Sequence, residues 1–213
     1  MKKMRSEFAG VLEVFSSEIA GCGNVVGIAD NLAPQAPALD LSDLYRHSLA
    51  GAVSALDTCV HSLVRTAILL QLQGIGPALN AQLPVPVDLF RRWYGGDASA
   101  LNEIALAIRL AHGRWTMQFA KDIADAVRLV SAHPLWISIA GGDTEAAKSL
   151  KSSLDLVIQR RNSIAHESDL DPSTGSKWPI TSEHAIAAIE VVRERGNAIV
   201  AHVAADFPDR PPV

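Results

Sequence analysis

Leu49-Ala50-Gly51-Ala52-Val53-Ser54-Ala55-Leu56-Asp57-Thr58-Cys59-Val60-His61-Ser62-Leu63-Val64 is the stretch that decides the fold class. Apolar residues recur at three- and four-residue spacing, at Leu49, Val53, Leu56, Val60, Leu63, Ala67 and Leu70. That is one stripe of an α-helix running roughly from 41 to 73. Asp40 or Ser42 can cap its start. Gly74-Ile75-Gly76-Pro77 ends it.

The same period extends in both directions. Upstream, Phe8, Val11, Leu12, Phe15 and Ile19 predict a helix over roughly 5–20. Gly21-Cys22-Gly23-Asn24 reads as its stop. The run Gly21 to Gly27 has glycines like a dinucleotide-binding loop, but such a loop follows a strand, and here an amphipathic helix precedes it. Residues 30–40, with Pro34 and Pro37, read as a loop. Downstream, 78–97 is rich in loop residues, with a short helix around Phe90. Helices are expected over 99–112 and 115–132, split at Gly113. Pro134 and Trp136 then lead to Gly141-Gly142-Asp143. Asp143 caps a helix from about 144 to 166, and Thr181 or Ser182 caps a last one over 182–205. No β-alternation of useful length occurs. The expectation is an all-α bundle of five to seven helices. Residues 1–35 read as an N-terminal helix and loop, either separate from or part of the main helical domain of 36–207, and 208–213 as a frayed tail.

The 213 residues are 48% hydrophobic and 20% charged, the balance of a globular chain with enough length to bury a core. A net charge of -4 argues against broad coating of nucleic acid, though not against a local basic cleft. Cys22 and Cys59 are too few for a disulfide framework or a cysteine-based zinc site, which points to a reducing, cytoplasmic setting. Lys2, Lys3 and Arg5 are followed by Glu7, Glu13 and Glu18, unlike a signal peptide. No unbroken apolar run approaches the ~20 residues of a membrane span, so no membrane partner is expected. His-Glu-x-x-His, Glu-x-x-His, a nucleophile elbow and a phosphate loop are all missing, and neither a metal nor another cofactor is expected.

Two constellations carry chemistry. The first is Gln159-Arg160-Arg161-Asn162-Ser163-Ile164-Ala165-His166-Glu167, closing the penultimate long helix. Its apolar stripe is Leu150, Leu154, Val157, Ile158, Ile164 and Ala165. Arg161 falls on that stripe, where a guanidinium needs an anion or a carboxylate. Asp155, Gln159, Asn162 and His166 form the polar face, with Asn162 and His166 one turn apart. Arg161 and His166 are about 140° apart on an ideal helix. Arg161 can equally pair with a structural carboxylate, and His166 can be a surface histidine whose charge suits a helix C-terminus. The second constellation is Asp57, His61 and Arg65, at four-residue intervals beside the stripe of the long helix. The aspartate can orient the imidazole or raise its pKa, or the three can form a solvated face with ordinary ion pairs.

Arg161-Asn162-Ser163-Ile164-Ala165-His166 resembles the Arg-x-x-x-x-His signature of HEPN domains, including a polar residue directly after the arginine. The segment 49–64, the loop Leu83-Pro84-Val85-Pro86-Val87-Asp88-Leu89 and Leu135-Trp136 resemble the RiboL-PSP-HEPN subgroup. The resemblance spans roughly 40–205. It implies a small α-helical homodimer acting as a metal-independent endoribonuclease in toxin or antiviral defence, or a relative that has lost activity and serves as an interaction module. A cognate antitoxin or regulatory protein is then a partner to look for. The residues carried over are Arg161, Asn162 and His166, with Asp57 and His61 as secondary candidates and Arg160 and Arg65 as RNA contacts. Arg91 and Arg92 lie further off.

The residue types suit that chemistry. RNA carries its own nucleophile, the 2′-OH. A histidine moves protons near neutral pH, and arginine holds the phosphate oxygens. The product would end in a 2′,3′-cyclic phosphate, and DNA, lacking the 2′-OH, would not be cut. Asn162 is expected to bond His166 or a phosphate oxygen. A twofold seam along the Arg161 stripe would join two such sets in one cleft. A helical bundle that binds an apolar small molecule is a weaker alternative, since no helix-turn-helix with a basic recognition helix is apparent.

Overall fold

A computed structural model describes residues 4–78, 85–113 and 115–207. Among these the chain forms eight helices and no strand: α1 Ser6–Leu32, α2 Ser42–Leu72, α3 Val87–Tyr94, α4 Ser99–His112, α5 Ala120–Val127, α6 Leu135–Ile139, α7 Thr144–His166 and α8 Ser182–Ala205. The all-α expectation holds. Leu83, Pro84 and the 208–213 tail lie outside the described residues.

The stripe predicted on α2 is buried at every position, from Leu49 to Leu70. Ala52, Ala55, Cys59, Val64 and Ile68 are buried too, widening the apolar arc beyond one stripe. The cause is position: α1, α4, α5, α7 and α8 all pack on α2, which is the axis of the molecule. Burial pushes the Cys59 thiol up to about 12. Both cysteines are free thiols. At the other end of the core, Phe8 meets Phe207 edge-on, with ring centroids 5.2 Å apart.

The predicted stop at Gly21-Cys22-Gly23-Asn24 does not occur, because α1 runs on to Leu32. Each glycine costs about 1 kcal/mol in a helix. Burial of Phe15, Ile19, Val26 and Ala29 outweighs that cost. Two bonds then tie down the far end. Tyr45 Oη of α2 and Ser182 Oγ of α8 each donate to the Asp30 carboxylate of α1, both at 2.7 Å. The bond to Asp30 holds the Tyr45 hydroxyl up at about 12. α1 therefore belongs to the same core as the rest.

Two glycines separate this account from a helix stop. A Cβ on Gly21 meets nothing within 4 Å, whereas one on buried Gly196 of α8 would enter the Phe15 ring. Gly21→Ala is expected to stabilise the protein by about 0.5–1 kcal/mol. Gly196→Ala is expected to destabilise it by about 1–2 kcal/mol, the cost of overpacking less the helix gain. Thermal melts check both. A drop in Tm for Gly21→Ala would mean that α1 breaks there after all.

The predicted helix over 115–132 shrinks to α5, Ala120–Val127. Side chains from two other helices capture its first backbone groups. Met117 N donates to Asp57 Oδ1 at 2.8 Å, and Ala120 N donates to Asp155 Oδ1 at 2.8 Å. The short α6 was not foreseen, and its Trp136 Nε1 donates to Ala120 O at 2.7 Å. The cap expectations hold better. Asp143 Oδ1 accepts from Glu145 N and Ala146 N at the start of α7. Thr181, rather than Ser182, caps α8 in a reciprocal pair with His184. At α2 the expectation fails: the N-cap is Leu41, with no side-chain cap, and Asp40 only accepts from Ser42 N just ahead of it.

By length and composition, α1 and α2 are both apolar enough to cross a membrane, each with a mean hydropathy of 1.3 over its best window. This departs from the sequence expectation, which counted unbroken apolar runs; scattered Ser, Thr and Gly shorten a run more than they lower a mean. Inside the fold, 56% of the α2 window is buried, against 17% for α1.

Candidate functional site

α7 ends at His166, whose side chain is exposed and has no hydrogen bond or ion pair among the described residues. Arg161 is half-buried on the arc that also carries Leu154, Val157 and Ile158. Its Nη1 donates to Gln118 Oε1 at 3.2 Å and to Asn162 Oδ1 at 3.1 Å. Both partners are neutral amides, and no carboxylate lies in ion-pair range of Arg161 among the described residues. Asn162 is thus bonded to Arg161; of the two partners expected for it, His166 or a phosphate oxygen, the bond to His166 is not made within one chain. No hydrogen bond joins Arg161 to His166 within one chain.

The adjacent arginine has the opposite surroundings. Arg160 Nη2 donates to Asp169 Oδ2 at 2.8 Å and to the carbonyls of Trp178 and Pro179. Arg46 of α2 donates Nε to the same carboxylate oxygen at 2.7 Å, and Nη2 to the Trp178 carbonyl at 2.7 Å. Asp169 is fully buried, and both it and Ser168 have positive φ, 59° and 54°. The turn after α7 thus folds back to place a carboxylate between two guanidiniums. Arg160, an expected RNA contact, is occupied in holding that turn. Arg92 is similarly engaged, by Asp97 and Glu103, while Arg91 is exposed on α3.

Asp57 and His61 have structural partners as well. His61 Nε2 lies 3.1 Å from Trp115 O and 3.9 Å from Asp57 Oδ2. A carbonyl only accepts, so this bond requires the proton on Nε2. With Asp57 Oδ1 on Met117 N, the two side chains hold the non-helical segment 115–117 against α2. Gln118, next in sequence, holds Arg161. Segment 115–118 therefore links the two constellations, which the sequence leaves a hundred positions apart. Gln118 itself was not foreseen, and its sequence context, Thr116-Met117-Gln118-Phe119, carries no motif that would single it out.

Arg65 is half-buried and unpaired among the described residues. It lines a groove of about 590 Å³ between α1 and α2 and an adjoining cleft of about 300 Å³ between α2 and α4. Elsewhere, an apolar groove of about 570 Å³ runs between α7 and α8, lined by Leu156, Val157, Ile180, Ala188 and Val191. Leu156 is 64% exposed at its edge. Among the described residues no three His, Cys, Asp or Glu side chains gather as a metal site. No protein-family model, no curated protein and no solved structure matches the chain.

Proposed function

We propose that this chain is a metal-independent endoribonuclease of HEPN type that works as a homodimer, in a toxin or antiviral-defence role. The observation that carries the reading is the uncompensated charge of Arg161. A half-buried guanidinium held only by two amides keeps its attraction for an anion, whereas Arg160, one residue earlier, is neutralised internally. A scissile phosphate is an anion of the right geometry for that fork.

The roles follow from chemistry. Arg161 holds the non-bridging oxygens as charge builds on phosphorus. Asn162 and Gln118 aim the guanidinium. His166, free at the helix end, exchanges a proton with the 2′-OH or the leaving 5′-oxygen. The α7–α8 groove, with Leu156 exposed beside it, supports a twofold seam on the face of α7 that also carries Val157. The same groove favours a second reading, a non-catalytic HEPN-like module that docks a cognate antitoxin or regulatory protein.

The discriminating experiment incubates the purified protein with several RNAs in the presence of a chelator. Cutting is expected, with 2′,3′-cyclic phosphate at the new ends and none at a 2′-deoxy position. An absence of cutting across the substrates favours the docking module. Cutting at 2′-deoxy sites would overturn the proposed chemistry.

A further inference from the structure

The cleft of about 300 Å³ between α2 and α4 has a chemistry that the Arg161 site does not account for. Arg65 of α2 and Arg109 of α4 both line it, together with the hydroxyl residues Thr58 and Ser62 and with His61. Neither arginine has a hydrogen bond or ion pair among the described residues. Most other arginines described here do: Arg5, Arg46, Arg92, Arg128, Arg160, Arg193 and Arg195 each meet a carboxylate. Two like charges on facing helices repel, and burying half of Arg65 without a counter-charge costs solvation. An anion in the cleft removes both penalties.

The nearby acids do not fill that role. Asp57 gives one oxygen to Met117 N and the other faces His61. Glu18 lines only the adjoining groove and makes no ion pair with Arg65. Along that groove Thr58, Ser62 and Thr66 recur at four-residue spacing on α2, while the Ser54 hydroxyl donates to Ala50 O, so hydroxyl donors continue for two turns beside the arginine pair. Two fork donors and a row of hydroxyls suit a tetrahedral oxyanion better than a planar carboxylate.

We propose that the α2–α4 cleft is a phosphate-ester site, with Arg65 and Arg109 gripping the phosphate and Thr58 and Ser62 completing its oxygen contacts. His61 ties the cleft to segment 115–118 and so to Gln118 and Arg161. Assigning the phosphate to an RNA backbone rests on the ribonuclease reading; the anion chemistry of the cleft stands without it.

The full chain carrying His166→Ala, which removes cutting from the assay, is titrated with fluorescein-labelled single-stranded polyuridylate over a salt series. Arg65→Gln and Arg109→Gln, added singly, are expected to weaken binding about tenfold each. Each also flattens the slope of log affinity against log salt by about 0.7. Arg128→Gln, an exposed arginine just past the C-terminus of α5, leaves both quantities unchanged. A parallel calorimetric titration with uridine monophosphate identifies the source. Dependence on the arginines with polyuridylate alone assigns a backbone phosphate, and dependence with both probes assigns a site that a single nucleotide phosphate satisfies. Arg109 is exposed and unpaired, so its variant keeps the fold, as circular dichroism will show. Wild-type affinity and slope in both arginine variants overturn the proposal, as does failure of both probes to bind. A protein that binds through these arginines yet never cuts RNA overturns the ribonuclease reading and leaves the cleft standing.

Discussion

His166→Ala is expected to cut RNA at least about a hundredfold more slowly than the wild type, the lower bound for loss of a general acid or base. The variant should melt where the wild type melts, because the imidazole is exposed and bonds to nothing among the described residues. Arg161→Ala is expected to lose roughly 10²–10³ in rate, as when one transition-state charge donor is removed. Arg161→Lys should recover little of this, since an ammonium cannot reproduce a fork shared between Gln118, Asn162 and a phosphate. Single-turnover cleavage of a labelled RNA, beside a thermal melt of each variant, reads rate and fold separately. Wild-type cutting by a purified, folded His166→Ala protein would falsify the catalytic assignment. A rate loss for Arg161→Ala accompanied by a fall in Tm of several degrees would instead make that residue a structural one.

A different variant tests the frame behind that site. Asp169→Asn is expected to lower stability by about 3–5 kcal/mol, the range for removing one member of a buried ion pair. The Arg46 side chain is only 7% exposed and the Arg160 side chain 28%, and one carboxylate oxygen serves both. The substitution leaves two guanidiniums side by side with little water. Asparagine keeps the size of the side chain and tolerates the positive φ of this position, so the loss reports charge and not shape. At roughly 2–4 °C per kcal/mol for a chain of this size, Tm should fall by about 10 °C. Asp43 supplies the contrast. It also pairs with Arg46, but its side chain is 67% exposed, so Asp43→Asn should cost less than about 1 kcal/mol. A melt of Asp169→Asn within a degree of the wild type would show that the clasp contributes nothing.

Much of the architecture is legible from residue order. α2, α7 and α8 come out within a residue or two of their observed ends, because each has a sustained apolar period and a strong cap or a glycine stop. The errors have specific causes. Gly21 and Gly23 carry a local cost of about 1 kcal/mol each, and local cost alone predicts a break. Contacts of α1 with α2 and α8 decide otherwise; neither lies within the local window, and α8 reaches Asp30 from 152 positions away. The helix expected over 115–132 loses its first turn because Asp57 and Asp155, on two other helices, capture the backbone N–H groups of Met117 and Ala120. No window of neighbouring residues contains that information.

The sequence alone determined the helical class, the principal caps and the placing of Arg161, Asn162 and His166 at the close of a long helix. Only the tertiary structure decided which charges are free. Arg160 and Arg161 are adjacent and chemically identical, yet one is bound by Asp169 and the other is left to neutral amides. The carboxylate reaches Arg160 through a left-handed turn, and it shares Arg46 from 123 positions away. Helical periodicity acts over a few residues and can be read locally. The pairing of a buried charge depends on which distant groups the packed chain brings within about 3 Å.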